Sequence, residues 1–258
     1  MGLPGLDLTS KVAVVIGGTS GIGRTLALGL ATAGADVVAT GRRENLVRSV
    51  ADEIQALGRK SLAMACDIGN RESIEAVHSA ITAEFGHIDI LINSAGTTKK
   101  TPTLEVSDDE WNQIFATNLT GVFRACQVFG RTMVQRKYGR IINIASVASG
   151  RGFFQVAAYA ASKAGVVSLT KTLAMEWAKD GVCVNAIAPG VFRTDLNKAL
   201  LDGTPRGEEF IIRTPMRRFG NVDELIGAAV FLSSDAASFV TGHVLAVDGG
   251  FLASGVTQ

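Results

Sequence analysis

The sequence predicts an α/β fold in which helices cover both faces of a parallel sheet, and three observations lead to this prediction. A chain of 258 residues with 47% hydrophobic content can bury a substantial core. From Lys11 onward, short β-branched apolar runs alternate with longer stretches of helical spacing, as in repeated βαβ units. Several of these runs are apolar without alternation, which is typical of strands buried on both faces.

About seven strands and six helices are predicted, and no linker or repeat divides them, so a single domain should span residues 1–258. The predicted strands are 12–16, 36–40, 61–66, 88–92, 141–145, 182–187 and 243–247. The predicted helices are 21–33, 44–57, 70–85, 108–136, 157–179 and 222–233. Ser107 and Glu110 have the spacing of a capping box at the start of the fourth helix.

The connection 192–220 is unusually long and polar for such a fold. Its charged residues include Arg193, Asp195, Asp202, Arg206, Glu208, Glu209 and Arg213, and they accompany Gly203, Pro205, Gly207 and Pro215. Long irregular connections in compact domains are often lids over a site. We therefore predict a substrate lid at 192–220, with a solvated excursion as the alternative.

Composition argues against several kinds of partner. The formal charge is +1 and no basic cluster with interleaved aromatic residues occurs, which argues against nucleic-acid binding. Cys66, Cys126 and Cys183 form no C-x-x-C pair and the three histidines are scattered, so no disulfide framework or metal site is predicted. No apolar run approaches the roughly 18 residues of a membrane span, and Asp7 lies where a signal peptide is positively charged. These features predict a cytoplasmic protein without a membrane partner.

A glycine-rich loop follows the first predicted strand. The strand runs directly into Gly17-Gly-Thr-Ser-Gly21-Ile-Gly23 and then into an Ala/Leu-rich helix. Glycines let the backbone approach a pyrophosphate closely, and the free N–H groups of the helix N-terminus receive its charge. The spacing is G-x-x-x-G-x-G rather than G-x-G-x-x-G, so on the glycines alone a tight strand-to-helix turn remains an alternative.

The end of the second strand bears on the choice of dinucleotide. Sites of this kind place an acidic residue there to bind the ribose 2′-OH, whereas a nearby arginine accommodates a 2′-phosphate. This chain has Gly41 at the acid position, followed by Arg42 and Arg43. Because a helix N-terminus disfavours positive charge, two arginines there favour a bound anion. NADP is predicted over NAD, and two solvated arginines are the alternative.

Three further residues have the types and spacing of a proton-transfer site. Ser146 ends a predicted strand, where open α/β sheets bind their ligands. Tyr159 follows thirteen residues later, and Lys163 lies at i+4 from it on the same predicted helix face. A lone Tyr-x-x-x-Lys pair is common by chance, but in combination with the glycine loop and Ser146 it indicates carbonyl or alcohol chemistry.

Taken together, these motifs resemble the short-chain dehydrogenase/reductase family, single-domain oxidoreductases with a Rossmann fold, in order and spacing from Lys11 to Gly250. Ile16 and Ser94 depart from the family's T-G-x-x-x-G-I-G and N-N-A-G motifs. The resemblance implies a catalytic tetrad of Asn118, Ser146, Tyr159 and Lys163. The cofactor contacts that it implies are Gly17, Thr19, Ser20, Gly21, Ile22, Gly23, Arg42, Arg43, Asp67, Ile68, Asn93, Ala95, Gly96, Tyr159, Lys163, Pro189, Gly190 and Thr194.

The residue types suggest how the tetrad would work. Tyr159 would exchange a proton with the carbonyl oxygen as a hydride moves, and Ser146 would hydrogen-bond that oxygen. A phenol is a poor base at neutral pH, and a cationic Lys163 nearby would favour its ionised form. The resemblance further implies that Lys163 holds the nicotinamide ribose and that Asn118 positions a water molecule.

Two subgroups of the family resemble this chain. The gluconate 5-dehydrogenase-like sugar-acid and polyol enzymes share Thr40-Gly-Arg42 and the segment from Arg213 to Gly220. The 3-oxoacyl-carrier-protein reductases dock their carrier through two arginines; Arg131 matches the first, but Met175 replaces the second. The lid arginines (Arg193, Arg206 and Arg213) could receive a substrate carboxylate or pair with Glu208 and Glu209.

Two further expectations concern the molecule as a whole. A non-catalytic NADP(H)-binding sensor is the alternative from another functional class, although a sensor would be free to lose Ser146, Tyr159 or Lys163, and all three are present. The resemblance also implies a homotetramer built through the helices at 108–136 and 157–179 and through the C-terminal strand. Core burial would explain the apolar C-terminal segment equally well.

Overall fold

The computed structural model describes residues 5–194 and 197–255, which contain one α/β domain around a six-stranded parallel sheet. The strand order is β2-β1-β3-β4-β5-β6. The strands are β1 (Val12–Ile16), β2 (Asp36–Thr40), β3 (Ile90–Asn93), β4 (Gly139–Ile144), β5 (Val182–Pro189) and β6 (Val244–Val247). The order reverses direction at β1, which creates a crevice at the carboxyl ends of β1 and β3.

Nine α-helices connect or follow these strands within the described residues. They are α1 (Gly21–Thr32), α2 (Glu44–Ala56), α3 (Arg71–Phe85), α4 (Asp108–Phe115), α5 (Gly121–Arg136), α6 (Ala157–Trp177), α7 (Lys198–Leu201), α8 (Pro205–Arg213) and α9 (Ile226–Ser233). None of the helices described combines the length and apolar character needed to cross a bilayer.

The sheet has a separate hydrophobic core on each face, because successive strand side chains point in opposite directions. Val14 and Ile141 belong to one core cluster, which also takes residues from α3, α5 and α6. Val15 and Ile142 belong to the other, with residues from α1, α2 and α9. The apolar runs of β1, β3, β4 and β5 are thus confirmed as strands buried on both faces.

The prediction of seven strands was wrong by one. The segment predicted at 61–66 runs beside β2 but contacts its backbone only near its two ends, through Val37 N to Lys60 O (3.0 Å) and Cys66 N to Gly41 O (3.0 Å). A single bridge, between Gly41 and Ala65, is the remaining trace of pairing. The alternation of the side chains is that of an extended chain, but without a ladder of hydrogen bonds the segment is not a strand of the sheet.

The predicted helix 108–136 is interrupted. Ala116–Thr120 forms a π-helical turn between α4 and α5. At the start of α4, the Ser107 hydroxyl accepts a hydrogen bond from the Glu110 amide (3.2 Å). The Glu110 carboxylate bonds Lys99 Nζ instead of returning to Ser107 (2.6 Å). Only half of the predicted capping box is therefore formed.

The segment predicted as a lid contains α7 and α8, while Asp195 lies outside the described residues. An aromatic cluster of Phe153, Phe210 and Phe251 holds α8 against the rest of the molecule, with ring centroids 5.7 to 6.3 Å apart. Phe153 lies between Ser146 and Tyr159 in sequence, and Phe251 belongs to the C-terminal segment. The aromatic cluster thus packs α8 onto the loop that precedes Tyr159.

Candidate active site

The glycine loop after β1 brings two pieces of backbone into direct contact. Gly17 has φ +84°, and a Cβ there would overlap the amide of Ala95. A Cβ at Gly23 would likewise overlap the carbonyl oxygen of Gly17. The Ser20 side chain makes no capping bond and the first turn of α1 carries no acidic residue. The loop therefore offers backbone N–H groups at a helix N-terminus, and this cradle suits a pyrophosphate.

The end of β2 has no room for an acidic side chain without rearrangement. A Cβ at Gly41 would lie 2.8 Å from Thr19 Oγ1 and 3.0 Å from Thr19 Cγ2. Arg42 and Arg43 are exposed at the start of α2, and Arg43 Nη2 donates to Ser20 Oγ (3.0 Å). Two cations thus flank the glycine loop where an acid would bind a ribose hydroxyl.

Most of the other predicted cofactor residues lie around this loop. A Cβ on Gly21 would be 3.7 Å from Thr194 Cγ2, so Thr194 lies across the loop. Gly96 is close to two members of the predicted tetrad, since its Cβ would be 3.6 Å from both Asn118 Oδ1 and Lys163 Nζ. Gly190 follows β5, which ends at Pro189, and its amide donates to Val247 O (2.9 Å).

Three predicted cofactor residues have other side-chain partners. Asp67 Oδ1 accepts a hydrogen bond from the Gly69 amide (2.9 Å), and Ile68 packs in the core. Asn93 at the end of β3 is 1% exposed, and its side chain lies in the core rather than on the surface of the crevice. Ile68 and Asn93 can therefore reach a ligand mainly through their backbone, whereas the exposed Asp67 can also offer its carboxylate.

Ser146, Tyr159 and Lys163 converge at the carboxyl end of β4. Ser146 lies close enough to Tyr159 for its hydroxyl to lower the pKa of the phenol. Lys163 Nζ lies 5.9 Å from the centroid of the Tyr159 ring and donates to Ile144 O (2.6 Å). Ser146 also caps the short 3₁₀ turn after β4, accepting from the Ala148 amide (3.1 Å). The Ser146 hydroxyl, the Tyr159 phenol and the Lys163 amine therefore lie near one another at the carboxyl end of β4.

Burial dominates the electrostatics of this site. It raises the pKa of Tyr159, and the hydrogen bond from Ser146 offsets the rise only in part. Burial also lowers the pKa of Lys163 to about 8, because a 4%-exposed ammonium has lost most of its hydration. The expectation that the lysine cation would set the pKa of the phenol considered charge alone and omitted the loss of solvent.

Asn118 lies in the π-helical turn and is fully buried. Its Oδ1 accepts from the Thr97 amide (2.8 Å), and its Nδ2 donates to Thr97 O (2.9 Å) and to Ser162 Oγ (3.1 Å). Ser162 in turn donates to Tyr159 O (2.7 Å). Sequence reasoning missed Thr97 and Ser162, and the position of Ser162 three residues after Tyr159 was the available signal.

The lid arginines are already partnered. Arg193 forms a bidentate pair with Asp202, and Arg213 pairs with Glu209 (2.8 Å). Arg206 donates to Phe154 O (3.4 Å) and covers the Phe210 ring. The pairing alternative was therefore right for Glu209. Over residues 5–194 and 197–255, no group of three His, Cys, Asp or Glu side chains could hold a metal ion.

Comparisons with known proteins identify the family of this chain. The family model described as Enoyl-(Acyl carrier protein) reductase matches residues 17–252. The chain is 43% identical to 2-dehydro-3-deoxy-D-gluconate 5-dehydrogenase of Pseudoalteromonas atlantica, over 95% of this chain and 97% of that protein. It is 40% identical to 3-oxoacyl-acyl-carrier-protein reductase of Escherichia coli, over 95% and 98%.

The same holds for solved structures. A gluconate 5-dehydrogenase from Burkholderia cenocepacia, in complex with NADP and tartrate, superposes with a TM-score of 0.93 at 39% identity, and the match covers 97% of this chain and 98% of that one. Whole-chain identity of about 40% to dehydrogenases and reductases confirms the resemblance based on the motifs. The chain belongs to the short-chain dehydrogenase/reductase family of NAD(P)-dependent oxidoreductases that act on CH–OH groups.

Proposed function

We propose that the protein uses NADP(H) to interconvert a carbonyl and a secondary alcohol in a sugar acid or polyol. The observation that carries this proposal is the convergence of Ser146, Tyr159 and Lys163 at the carboxyl end of β4, close to the glycine loop. Gly96 connects the two parts, because it packs against Lys163 and Asn118 and directly follows Ala95, which contacts Gly17.

The proton chemistry belongs to the side chains at β4. Tyr159 donates a proton to the carbonyl oxygen in reduction and accepts it in oxidation. Ser146 hydrogen-bonds the oxygen on which charge develops. Bound NADP(H) would supply or accept the hydride. Lys163 holds its amine beside Tyr159. Asn118 fixes the backbone at Thr97 and, through Ser162, the first turn of α6.

The cofactor cradle fits a dinucleotide with a 2′-phosphate. The close approach of the Gly17 and Ala95 backbones leaves no room for a side chain at position 17, and the first turn of α1 is free of acidic groups. Arg42 and Arg43 supply positive charge at the end of β2, where Thr19 fills the space that an acid needs. The NADP in the Burkholderia cenocepacia relative supports the same cofactor here.

The relatives support a sugar-acid substrate without excluding a 3-oxoacyl compound. Relatives of both kinds are about 40% identical to this chain. Met175, where a carrier-binding arginine is expected, is 85% exposed and apolar. This surface disfavours docking of an acidic carrier protein, although small β-keto esters remain the second candidate. The segment 192–220, which contains α8, serves as the substrate lid.

One assay tests cofactor and substrate together. Purified protein is mixed with NADPH or NADH and with 5-ketogluconate, 2-keto-3-deoxygluconate, other keto-sugars, ethyl acetoacetate or a cyclic diketone. We expect NADPH-dependent reduction of a keto-sugar acid. A preference for ethyl acetoacetate would move the protein to the acyl reductases. Tight NADPH binding without turnover of any compound would instead favour the sensor.

Assembly and location complete the proposal. We propose a homotetramer in the cytoplasm, as the family resemblance implies. Exposed apolar side chains on α5, α6 and the segment before β6 (Phe123, Met175 and Phe239) support the assembly. Burial between subunits would remove this apolar surface from water.

A further inference from the structure

A buried polar chain links β3, β4, α5 and α6 in the core behind the active site. Asn93 Nδ2 donates to Asn143 Oδ1 (2.9 Å), and Asn143 Nδ2 donates to Thr170 Oγ1 (2.9 Å). Thr170 then donates to Val166 O (2.8 Å). The Cys126 thiol of α5 lies within 3.4 Å of Asn93 Nδ2. All four side chains are at most 1% exposed.

The direction of these hydrogen bonds is fixed from one end. Because Thr170 gives its single proton to Val166 O, it must accept from the amide nitrogen of Asn143. Asn143 then presents its oxygen to Asn93, so Asn93 must point its nitrogen inward. Asn93 Oδ1 is left buried without a partner. An orphaned acceptor is costly, so the bond to Asn143 holds the Asn93 amide in this orientation against that cost.

Thr170 is on the helix that carries the site. Tyr159, Lys163, Val166 and Thr170 follow one another at spacings of four, three and four residues, so they share one face of α6. Asn143 directly precedes Ile144, whose carbonyl accepts the Lys163 hydrogen bond. Strand β4 therefore holds α6 at two points, through Lys163 and, about 10 Å along the axis, through Thr170.

We propose that Asn143 and Thr170 are positioning residues, which fix the register of α6 on β4 and thereby place Tyr159 and Lys163 against Ser146. Either bond alone leaves the helix free to pivot, whereas the two together prevent sliding and rotation. This inference rests on the proposed roles of Tyr159 and Lys163. Displacements of about 1 Å in a reacting group reduce turnover by up to about a hundredfold.

The test compares Thr170→Val with Thr170→Ser. Valine keeps the shape and removes the hydroxyl, whereas serine keeps the bond to Asn143. Asn185→Ala is the matched control, because Asn185 is 1% exposed on β5 and makes two hydrogen bonds, to Val240 O (2.8 Å) and from the His243 amide (3.0 Å). Asn185 pairs in register with Ile142, so its side chain faces the opposite side of the sheet from Asn143.

We expect Thr170→Val to lower kcat at least about tenfold with KM for NADPH within about twofold. The kinetic isotope effect with NADPH deuterated at the transferred position should rise, because hydride transfer becomes slower relative to product release. Thr170→Ser should keep kcat and the kinetic isotope effect near their wild-type values. Asn185→Ala should lose thermal stability without changing either. If Thr170→Val does not fold, Thr170→Cys replaces it with the same expectation, since its thiol is only a weak acceptor.

A second measurement needs no substrate. Acetylation of Lys163 by acetic anhydride, followed by mass spectrometry, should be at least about threefold faster in Thr170→Val than in wild type, Thr170→Ser or Asn185→Ala. Unchanged labelling, or loss of stability with unchanged kcat and isotope effect, would overturn the positioning role. A wild type that reduces none of the panel compounds would contradict the proposed function and leave the labelling result valid.

Discussion

The two tyrosines of this chain lie in different surroundings at opposite ends of the sheet. Tyr159 is held beside Ser146 and Lys163 at the carboxyl end of the sheet. Tyr138 precedes β4 at the other end of the sheet, where its hydroxyl donates to Asp235 (2.9 Å) and Lys11 lies over its ring. Tyr138→Phe is therefore a suitable control for the loss of the Tyr159 hydroxyl.

Tyr159→Phe should reduce turnover by about a hundredfold to ten-thousandfold, because it removes the proton donor and leaves the cofactor cradle intact. NADPH affinity, measured by fluorescence titration, should stay near the wild-type value. Tyr138→Phe should keep full turnover. Wild-type rates in Tyr159→Phe would refute the role of this phenol.

The buried Lys163 predicts a pH dependence of stability. Its pKa is about 8 in the fold, against 10.5 for an unperturbed lysine. Between these values the unfolded chain binds more protons, so the free energy of unfolding should increase with pH. From about pH 7.5 to about pH 9.5, the titration of Lys163 alone should raise the free energy of unfolding by roughly 2 kcal/mol.

Urea unfolding of the cofactor-free protein measures this contribution. The free energy of unfolding of wild type minus that of Lys163→Met should rise by roughly 2 kcal/mol from about pH 7.5 to about pH 9.5. Lys171→Met, an exposed lysine on the same helix, should track wild type at both pH values. A constant difference would show that Lys163 titrates at its usual pKa.

The proposed roles of Arg42 and Thr19 predict the choice of cofactor. Arg42→Ala should raise KM for NADPH about ten- to a hundredfold, the value of one charge-assisted hydrogen bond, and leave KM for NADH unchanged. Reversal of the preference needs three changes, Gly41→Asp, Arg42→Ala and Thr19→Ala, because Thr19 occupies the space of the new Cβ. Gly41→Asp and Arg42→Ala without Thr19→Ala should bind both cofactors weakly. Equal NADPH and NADH kinetics in all variants would reject the assignment.

Among the elements, α8 depends most on a few side chains. Phe210 packs on Phe153 and Phe251, whereas Ile212, two residues along, is 56% exposed. Phe210→Ala should loosen the lid and raise KM for the carbonyl substrate about tenfold, with NADPH affinity nearly unchanged. Ile212→Ala is the control and should behave like wild type. If both variants keep the wild-type KM, α8 is not a lid.

Regular elements were predictable where the pattern repeats, and the exceptions have physical causes. The apolar runs from Val12 and Val182 are strands because nothing competes with burial on both faces. The segment at 61–66 has the same kind of residues but lacks hydrogen bonds along its length. The π-helical turn was invisible because Ala116–Thr120 has no composition that separates it from an α-helix. Tyr159 and Lys163 were found by spacing, whereas Asn143 and Thr170 act through contacts that spacing alone does not reveal.

At the scale of the whole molecule, the exposed apolar side chains predict association. Phe239 is fully exposed a few residues before β6, which is one of the two edge strands of the described sheet. If four chains assemble through this edge and the α5–α6 face, Phe239→Asp should reduce the mass measured by light scattering to that of a dimer or monomer. Leu57→Asp, a half-exposed leucine after α2, should leave the mass unchanged. A wild-type monomer would count against the tetramer.

The position of Asn118 depends on the number of residues in the π-helical turn at Ala116–Thr120. Such a turn holds one more residue than the α-helical turn it replaces. Loss of a single codon there would let α4 and α5 merge into one continuous helix, with both outer faces rotated by about 100° relative to each other. Asn118 would then leave Thr97 and Ser162, although every other residue of the tetrad would keep its identity. A one-residue deletion elsewhere in this turn would therefore displace Asn118 while leaving all four residues of the predicted tetrad in the sequence.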